Sequence, residues 1–121
     1  MARTRCQGRR RMTAERGDVI VATDPFKDKD TTGRPFLILN RTETPFHGEQ
    51  YITCSLTTRT WHDDRIPLTD DHWVEGGAPE SSSVMPWSVN SIKSEWISFP
   101  QGKLQEDVVE QTVAQLREYI E

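Results

Sequence analysis

The sequence predicts a mainly β domain, a small and strongly curved antiparallel barrel that ends in one α-helix. Two observations carry this prediction. Short β-branched and apolar runs, separated by turn-forming residues, recur between positions 18 and 99, and an apolar stripe with helical spacing follows them. A sheet of roughly five to seven strands cannot bury both faces alone, so we expect the helix to cover one of them.

Four segments in the first half of the chain carry the strand prediction. Val19–Ala22 is a short β-branched run, and Pro35–Leu39 is a continuous apolar run that is too short for a helix. Gln50–Leu56 alternates between polar and apolar residues, which predicts one buried and one polar face. Arg65–Leu68 is a weaker strand, expected at an edge of the sheet.

The second half contains an interruption, further strands and the helix. Thr69–Ser83 is rich in Asp, Gly and Ser, so we expect an exposed excursion rather than a second domain. Ser83–Trp87 resumes the sheet, and Trp96–Phe99 suggests one more extended piece. The helix is predicted to begin after Gln105, its expected N-cap. Its apolar stripe comprises Leu104, Val108, Val109, Val113, Leu116, Tyr119 and Ile120.

Length and composition narrow the class of protein. The 121 residues suit one compact domain, and no stretch approaches the roughly 18 consecutive apolar residues of a membrane span. The charged N-terminus lacks the apolar segment of a secretory signal. Cys6 and Cys54 are too few for a disulfide scaffold and match no zinc spacing, so the expected compartment is the reducing cytoplasm.

The formal net charge of −4 conceals an uneven distribution. Residues 1–16 contain six arginines and one glutamate, whereas the remaining part holds 18 acidic residues against nine basic ones. We interpret residues 1–15 as a basic, disordered tail. Three interpretations stay open: the tail binds nucleic acid, it is simply solvated, or it is an upstream extension of a gene product that truly starts at Met12. The acidic body is unusual for a protein that contacts RNA and would suit a very salty cytoplasm.

The order of several motifs along the chain is informative. Arg16–Val21, Asp24–Phe26 and Gly33–Leu39 form a Gly-Asp strand, an Asp-Pro turn and, after a charged loop, an Arg-Pro-aliphatic strand. Ile52–Thr58 is a strand that ends in Thr, and Ser83–Ile92 is a later strand segment. In this order the motifs resemble the MazF/PemK family of bacterial and archaeal toxin–antitoxin systems. The resemblance covers nearly all of the toxin-like domain that we expect over residues 16–121.

This resemblance implies a fold, an activity and partners. The fold is a small SH3-like barrel of the type that CcdB and MazF share. The activity is that of an mRNA interferase, a sequence-selective endoribonuclease that needs neither metal nor cofactor. It cleaves single-stranded RNA by attack of the 2′-hydroxyl, which leaves 2′,3′-cyclic phosphate and 5′-hydroxyl ends. The implied partners are RNA, a cognate antitoxin and a second copy of the chain, in the cytoplasm and with no role for a membrane.

Arg34 and Thr57 match the catalytic positions of that family. RNA cleavage passes through a phosphorane with extra negative charge, and a guanidinium is always charged and can bind two phosphate oxygens. Pro35 favours an extended backbone at Arg34, which fixes the direction of its side chain. The Thr57 hydroxyl can donate to a phosphate oxygen, or it can simply bond within its own turn.

The sequence leaves the acid–base group open. Asp28 and Asp30 lie in the charged loop before the Arg-Pro motif, where the family often has a carboxylate. Thr58 is a neighbouring hydroxyl, and His62 is close enough along the chain to reach the site, although a solvated loop histidine is the plainer interpretation. No metal is expected, because adjacent residues such as His62, Asp63 and Asp64 rarely converge on one ion.

The four tryptophans, Trp61, Trp73, Trp87 and Trp96, could each stack on an unpaired base or pack in the core. Trp61 lies in a charged segment next to Thr57 and is our candidate for stacking on an unpaired base. Trp87 and Trp96 are expected to pack in the core.

Two alternative functions are also compatible with the sequence. One is a CcdB-like toxin or binding module that inhibits a topoisomerase or another protein by docking. The other is a degenerate family member that serves only to bind antitoxin. The docking alternative predicts that Arg34 and Thr57 are dispensable and that a surface near the C-terminal helix is essential. The acidic body favours both alternatives, whereas the intact Arg-Pro and Thr-Thr pairs favour the enzyme.

Overall fold

The computed structural model describes residues 13–23, 33–78 and 80–121. These residues form one seven-stranded sheet, in which all paired strands are antiparallel, and one α-helix. The elements are β1 Asp18–Ala22, β2 Arg34–Ile38, β3 Gln50–Thr57, β4 Ile66–Pro67, β5 Trp73–Gly76, β6 Ser83–Lys93, β7 Ile97–Leu104 and α1 Glu106–Ile120. The strand order across the sheet is β4-β6-β3-β2-β1-β7-β5.

The sheet curls into a half-barrel with the helix after it, which confirms the predicted fold class. Strands β1, β2 and β3 occupy the three strongest runs predicted from the sequence. The weak strand predicted around Ile66 is only two residues long and lies at an edge, as expected. Strands β6 and β7 correspond to the resumed sheet and the further extended piece.

The expectation for Thr69–Ser83 was incomplete. This segment contains a short 3-10 turn, Asp70–His72, and strand β5, which pairs with β7. Only Trp73 of β5 packs against the core, and the other three residues of the strand are exposed. The strand therefore carries no alternation of buried residues by which a sequence pattern could reveal it.

Hydrophobic clusters lie on both faces of the central strands, because successive residues of a strand point to opposite faces. Val19 and Leu37 belong to one cluster, whereas their neighbours Ile20 and Ile38 belong to the other. Burial on both faces explains why β1 and β2 are continuous apolar runs instead of alternating ones. Each such aliphatic side chain contributes roughly 1.5–3 kcal/mol when it is fully buried.

The helix covers the first of these clusters. Val108 and Val109 are buried within it, and the side chains of Val113 and Leu116 pack against it. Gln105 is the N-cap residue, as predicted. The last two residues of the predicted stripe lie outside the core, since Tyr119 is 46% and Ile120 74% exposed.

The chain before β1 is joined to the second cluster. Ala14 is buried there, and its N–H donates a hydrogen bond to the Tyr51 hydroxyl at 3.1 Å. Arg16 contacts the helix start through a salt bridge of 2.8 Å to Glu106. Residues 1–12, with most of the predicted basic tail, lie outside the described residues. Within the described ranges, no helix has the length and apolar character needed to cross a membrane.

Candidate functional site

Arg34 and Thr57 lie at the same end of the β2–β3 ladder. The paired residues of this antiparallel ladder end at Phe36 and Ser55, and Arg34 and Thr57 each lie two residues beyond that pair. Residues two positions apart on a strand point to the same face of the sheet. The two residues that the resemblance assigns to catalysis are therefore neighbours at one end of the hairpin.

The segment before Arg34 packs tightly against β1. A Cβ atom on Gly33 would lie 2.5 Å from Cγ1 of Val21, so a larger residue would displace that side chain. Arg34 itself pairs with Ala22 and is exposed at the start of β2. The proline that follows it restricts its backbone to extended conformations. These two constraints restrict the backbone from which the Arg34 side chain extends.

An open cleft of about 810 Å³ lies against this end of the hairpin. It brings together four of the predicted site residues, which are Arg34, Thr57, Thr58 and His62. The other residues that line it were not predicted as site residues from the sequence, and they are Gly33, Pro35, Ser55, Leu56, Arg59, Glu80, Ser82, Met85 and Ser88. The described residues of its lining include two arginines and one glutamate, so this part of the cleft is basic in a chain of net charge −4.

The Thr57 hydroxyl bonds within its own turn, as one of the two sequence interpretations proposed. Its Oγ1 accepts a hydrogen bond from the Arg59 N–H at 3.1 Å. Because the oxygen acts as acceptor here, the hydroxyl hydrogen is still available for donation into the cleft. The turn contact therefore orients the hydroxyl without using its donor.

A cluster of polar side chains lies beside these residues. Ser55 Oγ accepts hydrogen bonds from Ser88 Oγ at 3.1 Å and from Asn90 Nδ2 at 2.9 Å. Ser55 shares the face of Arg34 and Thr57, since side chains alternate along β3 and pair across it. The cluster depends on a register shift in the pairing of β6 with β3, and no pattern in the sequence predicts this shift. Arg59, by contrast, follows the Thr-Thr pair directly and was identifiable.

The register shift also changes the environment of Trp87. Cys54 pairs with Val89 and Leu56 with Val84, so residues 85–88 of β6 lie opposite Ser55 alone. In this bulge Pro86 takes the buried position. Trp87 is turned outward and is 38% exposed, so the prediction that it packs in the core is wrong.

His62 is half-buried between two indole rings. The ring centroids of His62 and Trp61 are 3.7 Å apart, and those of His62 and Trp87 are 5.1 Å apart. This environment differs from the freely solvated loop that was the plainer interpretation. Trp61 is 65% exposed, and Trp96 packs against the second core cluster as expected.

The remaining candidates lie elsewhere. Asp28 and Asp30 fall outside the described residues. Asp63 and Asp64 line a separate groove against the helix, so they do not converge with His62. Among the described residues, no group of three or more His, Cys, Asp or Glu is arranged to hold a metal ion. Burial raises the pKa of the Cys54 thiol from 9.0 to about 12, which keeps it protonated and unreactive.

Comparison with known proteins gives a match in structure. No protein-family model and no curated protein matches the sequence. MazF from Deinococcus radiodurans is 14% identical, with 90% of this chain and 97% of that chain covered at a TM-score of 0.70. A mycobacterial endoribonuclease in complex with its cognate antitoxin is 14% identical, with 88% and 94% covered at 0.64. The Mycobacterium tuberculosis toxin MazF-mt6 is 20% identical, with 82% and 90% covered at 0.59.

These similarities identify the fold. The chain has the curled half-barrel and C-terminal helix of the MazF toxins, and the resemblance found in its sequence is confirmed at the level of the fold.

Proposed function

We propose that this chain is the toxin of a toxin–antitoxin pair and that it cleaves single-stranded RNA in the cleft beside Arg34 and Thr57. The observation that carries the proposal is that these two residues line one cleft, at the same end of the β2–β3 ladder, within a fold shared with MazF toxins. A permanent cation and a hydroxyl donor on neighbouring strands suit a phosphodiester whose charge increases during the reaction.

The proposed reaction is an internal transfer at phosphorus. The 2′-oxygen loses its proton and forms a bond to the adjacent phosphorus, while the bond from phosphorus to the 5′-oxygen breaks. The departing 5′-oxygen takes up a proton. The products are a 2′,3′-cyclic phosphate and a 5′-hydroxyl, so no water and no metal is required for the cleavage step.

Each charged or polar residue named here has its own role in the proposed reaction. Arg34 neutralises the extra charge on the phosphorane, and Thr57 donates a hydrogen bond to a phosphate oxygen. Arg59 lies beside Thr57 and adds a second cation that attracts the RNA backbone. His62 lines the same cleft, and it shares candidacy for proton transfer with Asp28 and Asp30.

The proposal includes two protein partners. One of the similar structures is an endoribonuclease in complex with its cognate antitoxin, which supports an antitoxin for this chain as well. An acidic antitoxin segment would fit the basic cleft and would exclude RNA from it. The second partner is another copy of the chain in a two-fold dimer, with RNA lying across the interface. Light scattering at micromolar concentration and high salt tests this assembly, and a monomer would contradict it.

The activity is tested with pure protein and a long single-stranded RNA in the presence of EDTA. We expect cleavage at selected sequences, with 2′,3′-cyclic phosphate and 5′-hydroxyl ends on every product. Ends that carry 5′-phosphate, or complete loss of activity on chelation, would contradict the mechanism. Arg34→Ala protein is the control for contaminating nucleases.

One observation favours the docking toxin as a second candidate. Tyr119 and Ile120 end the helix with apolar side chains that are largely exposed, and the docking alternative requires a contact surface there. That function predicts toxicity without RNA cleavage. It also predicts that Arg34→Ala keeps full toxicity, whereas substitution of Ile120 abolishes it.

A further inference from the structure

His62 contacts the indoles of both Trp61 and Trp87 in a stack of tilted aromatic rings, and of these three residues His62 lines the cleft. Trp61 lies against His62 with a centroid distance of 3.7 Å and an interplanar angle of 35°. Between His62 and Trp87 the centroid distance is 5.1 Å and the interplanar angle is 58°. Trp61 is 65% exposed, so much of its indole surface is accessible beyond the stack.

Two residues of this stack, Trp87 and His62, are held by the fold. Trp87 belongs to the bulge of β6 opposite Ser55, where the buried Pro86 directs the next side chain outward. The His62 carbonyl accepts hydrogen bonds from the Arg65 backbone N–H at 3.3 Å and from Arg65 Nη1 at 2.8 Å. The turn is also tied to the helix, because Gln115 Nε2 donates to the Asp64 carbonyl at 2.6 Å. The fold itself therefore positions the two residues that support Trp61, which lowers the entropic cost of binding.

The stack adjoins cations that suit a nucleic-acid backbone. His62 lines the same cleft as Arg34 and Arg59. Proteins that bind single strands combine a basic groove for the phosphates with exposed aromatic rings on which bases stack. Both parts are present here within one cleft and its rim.

We propose that Trp61, backed by His62 and Trp87, is a subsite for one unpaired nucleobase of the RNA bound in the cleft. The inference rests on the proposed function and extends it, because it names the residues that hold the strand beside the scissile phosphate. The base is held by stacking on the indole, so the subsite distinguishes a base from an abasic sugar. A purine overlaps the indole more than a pyrimidine does and binds more tightly.

The test measures binding without cleavage. A labelled single-stranded RNA with 2′-O-methyl groups throughout cannot supply the nucleophile, and its affinity is measured by fluorescence anisotropy. Abasic sugars are placed one position at a time. In the wild-type chain we expect one position at which loss of the base weakens binding by about ten- to a hundred-fold.

Protein variants decide whether Trp61 makes that contact. Trp61→Ala should weaken binding of the intact RNA by a similar factor, and the abasic sugar at the sensitive position should then cost nothing further. Trp61→Phe keeps an aromatic face and should retain most of the affinity. Trp87→Leu removes the support of the stack and should give an intermediate loss. Phe46→Ala is the matched control, because Phe46 is 67% exposed in the loop at the other end of the β2–β3 hairpin.

The possible outcomes separate this inference from the proposed function. If wild-type protein cleaves RNA but Trp61→Ala binds as tightly as wild type while folded, the subsite is wrong and the nuclease stands. If the abasic penalty is the same in Trp61→Ala as in wild type, the base is bound elsewhere. Loss of antitoxin binding alone would assign the stack to the protein partner and overturn the inference. Protein that neither binds nor cleaves RNA would overturn both proposals.

Discussion

The two ends of strand β2 lie in different surroundings although they are only a few residues apart. Arg34 at its start is exposed and lines the cleft, whereas Leu37 and Ile38 at its end are fully buried on opposite faces of the sheet. The same contrast occurs on β3, where Cys54 is buried opposite Leu37 and Thr57 reaches the cleft. One hairpin thus supplies the centre of the core at one end and the candidate site at the other.

This contrast separates stability from activity along a single element. The buried end loses packing when it is changed, because the interior cannot close around a missing side chain. The exposed end has little packing to lose, so its residues are free to be chosen for chemistry. Substitutions at the buried end should therefore change the free energy of unfolding, whereas substitutions at the exposed end should change the rate of RNA cleavage.

The largest effect is expected for Leu37→Ala. Leu37 is completely buried beneath the helix, and removal of such a leucine costs about 2–5 kcal/mol in the free energy of unfolding. Urea unfolding followed by tryptophan fluorescence measures this loss. RNA cleavage per folded molecule should stay at the wild-type rate, because Leu37 does not line the cleft. A rate that falls with no change in stability would mean that the two ends are not separable.

Arg34→Ala should have the opposite profile. Loss of a donor that acts mainly in the transition state typically lowers the rate on the order of a hundred- to a thousand-fold. Single-turnover cleavage should show this loss, with RNA affinity and thermal stability close to wild type. Arg34→Lys should restore only part of the rate, because an ammonium cannot reproduce the bidentate guanidinium. Wild-type cleavage by a folded Arg34→Ala protein would refute the enzyme and favour the docking toxin.

Thr57→Ala should lower the rate less than Arg34→Ala. A hydrogen bond to a charged group contributes about 1.5–3 kcal/mol, which corresponds to roughly a ten- to hundred-fold loss in single-turnover cleavage. Thr57→Ser keeps the hydroxyl and should be nearly neutral. Thr58→Ala is the matched control at the adjacent position. If Thr58→Ala lowers the cleavage rate more than Thr57→Ala does, the functional hydroxyl belongs to Thr58 and not to Thr57.

The buried end of the hairpin was the more predictable of the two. A strand buried on both faces must be a continuous apolar run, so β1 and β2 were visible as short runs bounded by turn residues. The helix stripe failed only at Tyr119 and Ile120, the last two residues of the stripe, which stay exposed. The location of Arg34 and Thr57 at the same end of the ladder follows from the hairpin once its register is known.

The cleft was less predictable because it depends on irregular pairing. The bulge of β6 turns Trp87 outward and brings Ser88 to Ser55, yet a bulge of four residues opposite one leaves no periodic signal. Glu80 and Ser82 reach the cleft from a segment whose composition indicated only an exposed excursion. Such contacts arise from tertiary packing and are not encoded in local residue spacing.

The smallest effect is expected at Cys54, where the two environments of the hairpin meet. Cys54 is buried opposite Leu37, and its neighbour Ser55 faces the cleft. Burial raises the pKa of the Cys54 thiol from 9.0 to about 12, since the interior disfavours a thiolate. Between these two values the unfolded chain releases this proton and the folded chain does not. At neutral pH the thiol is protonated in both states and does not affect the free energy of unfolding. As the pH rises above about 9, that free energy falls.

The measurement compares two variants that differ only at this thiol. In a Cys6→Ser background, urea unfolding at pH 7 and pH 10 is recorded with Cys54 present and with Cys54→Val. Because all other titrating groups are shared, the protein that keeps Cys54 should lose about 1 kcal/mol more between the two pH values than its partner. The same protein should react with a thiol reagent only after unfolding. Rapid reaction in the folded state, or an equal loss of stability in both variants, would place Cys54 on the accessible side of the hairpin and contradict the division between its two environments.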